Sequence, residues 1–172
     1  TSGTLGNKNP GNGWFETADH AINESFQFKL TATLPASGGG YNRYADYERY
    51  ALVFHDTLSA GVTFESIDSV RVTPNGKTAV VVPASEYTTT AQAGQSGEWT
   101  LLIANVKAYD ATGLANGAVV EVIYNAHLNA NAVVSDAPVE NTTTNSNSVY
   151  LEYSNNPNTD HGQDMGKTGD RK

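Results

Sequence analysis

Phe26-Gln27-Phe28-Lys29-Leu30-Thr31-Ala32-Thr33-Leu34 alternates without a break, with Phe26, Phe28, Leu30, Ala32 and Leu34 on one face. A period of two is the signature of a strand with one buried and one wet face. Pro35 and the Gly38-Gly39-Gly40 run stop it, because both residue types punctuate regular structure. The same pattern recurs along the chain. Tyr50, Leu52, Phe54 and Asp56 share a face, with Ala51, Val53 and His55 opposite. Val62-Thr63-Phe64 and Val70-Arg71-Val72 read as two short strands, the second closed by a Pro74-Asn75-Gly76 turn. Further strands are expected over 79–82, 99–106 and 118–128, and the last places Val149, Leu151, Tyr153 and Asn155 on one face before Pro157. Residues 1–13 are rich in Gly and Asn and read as loop. Short strands with one apolar face each predict an all-β fold: an antiparallel β-sandwich with little helix. Residues 1–158 make that domain, and 159–172 read as a polar tail or linker.

Charge and composition narrow the function. The 172 residues carry ten Lys and Arg against eighteen Asp and Glu, a formal net charge of -8. That balance argues against nucleic acid and against an anionic membrane surface, since both need a surplus of basic side chains. With no Cys, no disulfide can staple the fold. No apolar run approaches the roughly 20 residues of a spanning helix. Thr, Asn, Gly and Ser dominate the surface, as in extracellular proteins. With no initiator Met, the chain reads as processed or cut from something longer.

Few residues offer chemistry. Asp160, His161 and Asp164 cluster, but without the His or Cys spacing of a metal site, so no metal is expected. Gly38 to Gly40 lead into no Lys-Ser/Thr pair, and no cofactor is expected. His20, His55, His127 and His161 adjoin no nucleophile elbow. Tyr41, Tyr44, Tyr47 and Tyr50, with Trp99, read either as a stacking platform for a glycan or matrix ligand or as ordinary sheet filler. Asp56 and Asn155 each follow inward-facing apolar residues. Either they enter the core, where a polar group must be paired, or they sit just past strand ends and cap turns. The pattern leaves both readings open.

At these residues the sequence resembles a known family. Ala18-Asp19-His20-Ala21-Ile22, Phe28 to Pro35, Phe54-His55-Asp56-Thr57-Leu58-Ser59-Ala60-Gly61-Val62-Thr63-Phe64, Val122 to Asn129 and Leu151-Glu152-Tyr153-Ser154-Asn155-Asn156-Pro157-Asn158 stand in the right order. Together they are similar to the fimbrial isopeptide-forming domain of Gram-positive pilin backbone subunits, related to collagen-adhesin modules. The resemblance implies an immunoglobulin-like sandwich with a structural role, extracellular and cell-wall-attached, working with neighbouring pilin domains or subunits. It also implies a spontaneous Lys-Asn amide promoted by a buried acid, a single turnover and not enzymology. On the motif the acid is Asp56 and the acceptor Asn155. The lysine is expected on a first strand outside this chain, so that the sheet edge stays open for a Lys-bearing strand or peptide. Lys8 comes next in order and Lys29 after it, since Lys29 alternates with the apolar residues.

Overall fold

The computed structural model describes residues 2–8, 13–15, 20–35, 44–133, 145–155 and 165–170. Among them the strands are β1 (Ser2–Lys8), β2 (Trp14–Phe15), β3 (Ser25–Thr33), β4 (Leu52–Leu58), β5 (Val62–Thr73), β6 (Val80–Val81), β7 (Tyr87–Thr89), β8 (Gly97–Ile103), β9 (Val119–Leu128), β10 (Asn147–Ser154) and β11 (Met165–Lys167). One sheet runs β2-β1-β3-β9-β5-β6 and the other β11-β10-β4-β8-β7, with every ladder antiparallel. Among the described residues, helical structure is confined to short 3-10 turns at Tyr44–Asp46, Ala84–Glu86 and Val106–Tyr109. The fold is the expected all-β immunoglobulin-like sandwich.

The core lies between the sheets, and alternation builds it. Phe28, Leu30, Leu52, Phe54, Val120, Val122, Tyr124 and Leu151 are buried, and Tyr153 packs half-buried against them. Each fully buried aliphatic or aromatic side chain contributes about 1.5–3 kcal/mol. β5 departs from the reading of two short strands: it is a single strand of 12 residues. Its register against β9 slips between Phe64 and Ser66 and again between Ile67 and Ser69. Each slip is a bulge that inserts one residue. Phe64, Ile67 and Val70 therefore turn to the core at intervals of three, which hides the strand from a period-of-two pattern.

Two expectations are corrected at the sheet edges. Residues 1–13 are not all loop, because β1 pairs with β3 from Ser2 opposite Thr33 to Lys8 opposite Gln27. The β3 edge expected to stand open is occupied by this chain. Gly3, Gly6 and Asn7 mask the strand in sequence, and the backbone groups of β3 supply what intrinsic propensity lacks. Nor does 159–172 stay wholly outside the sandwich, since β11 pairs with β10 from Glu152 opposite Lys167 to Ser154 opposite Met165. Gly166 lets the Tyr153 ring lie against its backbone, and the Lys167 ammonium sits 3.7 Å from the Tyr150 ring centroid. Thr168 extends the contact by donating its N–H to Leu151.

Candidate functional site

Asp56 stands inside β4, not past its end. Leu52, Phe54, Asp56 and Leu58 alternate inward, and Asp56 is 0% exposed. Its neighbours in the sheet are Trp99 on β8 and Val149 on β10. Asn147 lies one inward position from Val149, diagonal to Asp56, and is also buried. From the opposite sheet Tyr124 on β9 reaches the same point. Asn147 Nδ2 donates to Tyr124 Oη at 2.6 Å and to Asp56 Oδ2 at 3.3 Å. Phe28, Phe64 and Trp99 enclose the Tyr124 ring, with centroids 5.3, 5.6 and 5.0 Å away.

This aromatic wall sets the electrostatics. Exclusion of water pushes the Asp56 carboxyl from an ordinary value of 3.8 up to about 7, against the opposing pull of its hydrogen bonds with Tyr124 and Asn147. Burial likewise raises the Tyr124 phenol well above its usual range, and the nearby Asp56 charge adds to it. Among the described residues, Asn147 Oδ1 accepts no hydrogen bond and Asp56 Oδ1 has no well-formed one, although the Trp99 side chain and the Thr57 backbone N–H face the carboxyl and pull its pKa down. Orphaned buried polar atoms are rare in a folded core. Here two acceptors meet at one acid and one carboxamide.

The structure does not bring Asp56 and Asn155 together. Asn155 is exposed and follows β10 at the end that meets Ala51. Val149 is the residue opposite Asp56, so Asn155 lies six positions further on, roughly 20 Å along the strand. Alternation fails just before it: Ser154 turns inward and accepts the Ala51 N–H on its hydroxyl. Asn147 is the asparagine at the acid. The signal for it was the same alternation, carried two residues back from Val149.

The other candidates separate clearly. The Lys29 ammonium is 3.4 Å from Glu121 and 4.8 Å from the Trp14 ring centroid, on the outer face of the sheet. Lys107 is bound to the carbonyls of Tyr44, Ala45 and Tyr47, and Lys167 lies over Tyr150. Lys8 is placed by its backbone at the end of β1, and β1 approaches β10 across the sandwich. Tyr44, Tyr47, Tyr50 and Trp99 are buried, with Tyr50 packing on both other tyrosines, so they present no face to a ligand. This corrects the stacking-platform reading: the rings are core. Tyr41, Asp160, His161 and Asp164 lie outside the described residues. No group of three His, Asp or Glu able to hold a metal occurs among the described residues, and no helix there is long and apolar enough to cross a membrane.

The fold is thus a two-sheet antiparallel sandwich with Asp56 and Asn147 paired in its core. The model of the Gram-positive pilin backbone subunit 2, Cna-B-like domain family matches residues 27–157, and the chain belongs to that family. No curated protein matches it. Among solved structures it resembles the full-length major pilin SpaD from Corynebacterium diphtheriae, at 19% identity and TM-score 0.58 over 98% of this chain and 34% of that one. The pilus backbone RrgB from Streptococcus pneumoniae matches at 20% and 0.57, over 92% and 55%. A C-terminal fragment of the major pilin GBS80 of Streptococcus agalactiae matches at 16% and 0.56, over 86% and 47%. These likenesses are of fold, and the chain spans only about a third to just over half of each of those solved chains.

Proposed function

We propose that this chain is an extracellular, tension-bearing domain of a cell-wall-attached Gram-positive pilus, packing against neighbouring pilin domains or subunits. Its core is stapled by a Lys-Asn amide at Asn147, promoted by Asp56. The observation that carries this reading is the buried Asp56-Asn147 pair with its two unfilled acceptors. A lysine amine arriving there supplies the donors that both oxygens lack. The desolvated site favours a neutral amine, and the neighbouring acid moves the protons as ammonia leaves. Fixed proximity makes the step intramolecular and single-turnover.

Lys29, Lys107 and Lys167 are engaged elsewhere. The amine comes from a Lys-bearing strand of another segment laid beside β10, or from Lys8 at the end of β1, whose register opposite Gln27 is that of the outer face. Intact-mass spectrometry tests this. A linked chain is lighter by one ammonia, and Asn147→Ala and Asp56→Ala each restore the full mass, whereas Asn155→Ala does not. Lys8→Ala then tells an internal lysine from a supplied one. A loss that survives Asn147→Ala, or one abolished by Asn155→Ala, refutes the assignment.

A further inference from the structure

We infer that Tyr124 is a catalytic residue of this reaction, holding the leaving nitrogen of Asn147 and handing it the proton with which it departs. The inference rests on the Asp56-Asn147 reading above. Tyr124 is 0% exposed and comes from the sheet facing Asp56 and Asn147. Its hydroxyl oxygen is 2.6 Å from Asn147 Nδ2, closer than Asp56 Oδ2 at 3.3 Å. The two amide hydrogens are thus spent on Tyr124 and Asp56, and the carboxamide is presented in one orientation. With Asp56 ionised, as the step below requires, reversing it would turn Oδ1 toward a carboxylate oxygen. Cγ and Oδ1 are left for an incoming amine.

The ring cannot swing away. Phe28 and Phe64 pack on it, and the Trp99 ring meets it edge-on at an interplanar angle of 82°. Ordinary core packing explains an aromatic ring here, but it does not explain a fully buried hydroxyl aimed at an amide nitrogen. Burial also keeps the phenol protonated, so an O–H is in place whenever the domain is folded.

The step balances without any outside reagent. The lysine nitrogen adds its lone pair to Cγ, and the carbonyl π pair moves to Oδ1. The ammonium so formed passes a proton to the Asp56 carboxylate. When the Cγ–Nδ2 bond breaks and the carbonyl reforms, Nδ2 takes the Tyr124 hydroxyl proton and leaves as ammonia. The phenolate recovers a proton from Asp56, whose carboxyl interacts with the phenol hydroxyl. One C–N bond has formed and one has broken. Tyr124 and Asp56 end as they began.

The test is Tyr124→Phe, which keeps the ring and removes the hydroxyl. Newly synthesised wild-type and variant chains, with the lysine strand supplied if Lys8 is not the donor, are followed by mass for ammonia loss. The variant should react about 10²–10⁴-fold more slowly, the usual contribution of a positioned proton donor. In unlinked chains the Asn147 side-chain amide resonances, read by 15N NMR, should move when the 2.6 Å bond is removed. That second readout also shows whether the variant is folded. Equal rates, or unmoved Asn147 resonances, overturn the role of Tyr124 while leaving the amide reading intact. A wild-type chain that never loses ammonia overturns both.

Discussion

Replacing Asp56 by Asn should change how stability depends on pH more than it changes stability itself. The carboxyl is raised from 3.8 to about 7 because the folded core excludes water. The folded state therefore holds this proton when the unfolded chain has already lost it. Below about pH 4 both states are protonated and the contribution to folding is fully present. As pH rises toward 7 the unfolded chain gains from ionising and the folded one does not, so the contribution is lost, and above 7 the loss is complete. The shift corresponds to about 4 kcal/mol, at 1.36 kcal/mol for each tenfold change in proton affinity. Asn mimics the neutral acid at all pH values. Urea unfolding of the two chains from pH 3 to 9, both in a Lys8→Ala background to exclude an internal link from that residue, isolates the term. Their difference in unfolding free energy should move by about 4 kcal/mol in favour of the Asn chain between pH 4 and 7. A flat difference, or one of opposite slope, would refute the claim that burial raises the Asp56 carboxyl.

Other perturbations follow from the packing. Gly61→Ala should destabilise the domain by about 1–3 kcal/mol, since a methyl there would come within 2.7 Å of the Ala132 Cα; chemical denaturation reads it, and an unchanged midpoint contradicts the close approach. Tyr44→Ala should lower stability by about 3–5 kcal/mol as a core truncation, in contrast with the surface role once open to it; a normal melting curve coupled with lost glycan binding would reverse that correction. Lys107→Ala strips the ammonium from the Tyr44, Ala45 and Tyr47 carbonyls and should cost about 1–3 kcal/mol, with faster hydrogen exchange around Tyr47 as its local mark. Exchange at Lys167 and Thr168 should rise in Gly166→Ala, because the added carbon meets the Tyr153 ring at 2.8 Å; unchanged protection would mean that β11 is held by other contacts.

The sheets were legible where one residue faces in and the next faces out. β3, β4 and β9 satisfy that condition, and they are found within a residue or two of the expected limits. β5 breaks it with two bulges, and no local pattern reveals that a strand continues through Glu65 and Asp68. β1 and β11 are short of apolar residues and owe their structure to the strands they dock on, information held elsewhere in the chain. At the site, Asp56 was visible because it ends a clear apolar series. Asn155 was assigned from the family motif, and the face pattern allowed it only if the β10 series runs on past Tyr153. It ends there, because Ser154 turns inward to bond Ala51. Tyr124 was visible only as part of an expected strand, since a period of two identifies the face of a residue and not the neighbour its hydroxyl meets.

The approach of β1 to β10 across the sandwich bears on how far the domain could stretch under load. Lys8 and Asn147 end up in neighbouring strands although about 140 residues separate them, a length of chain that would span roughly 480 Å if drawn straight. A bond between those two strands would put that whole length in a closed loop, out of the path between the points where a pull enters and leaves. The domain would then act as a nearly inextensible link, and repeated loading would leave nothing to refold. Without the bond the same arrangement would be a shock absorber, giving up its hidden length once and recovering it slowly.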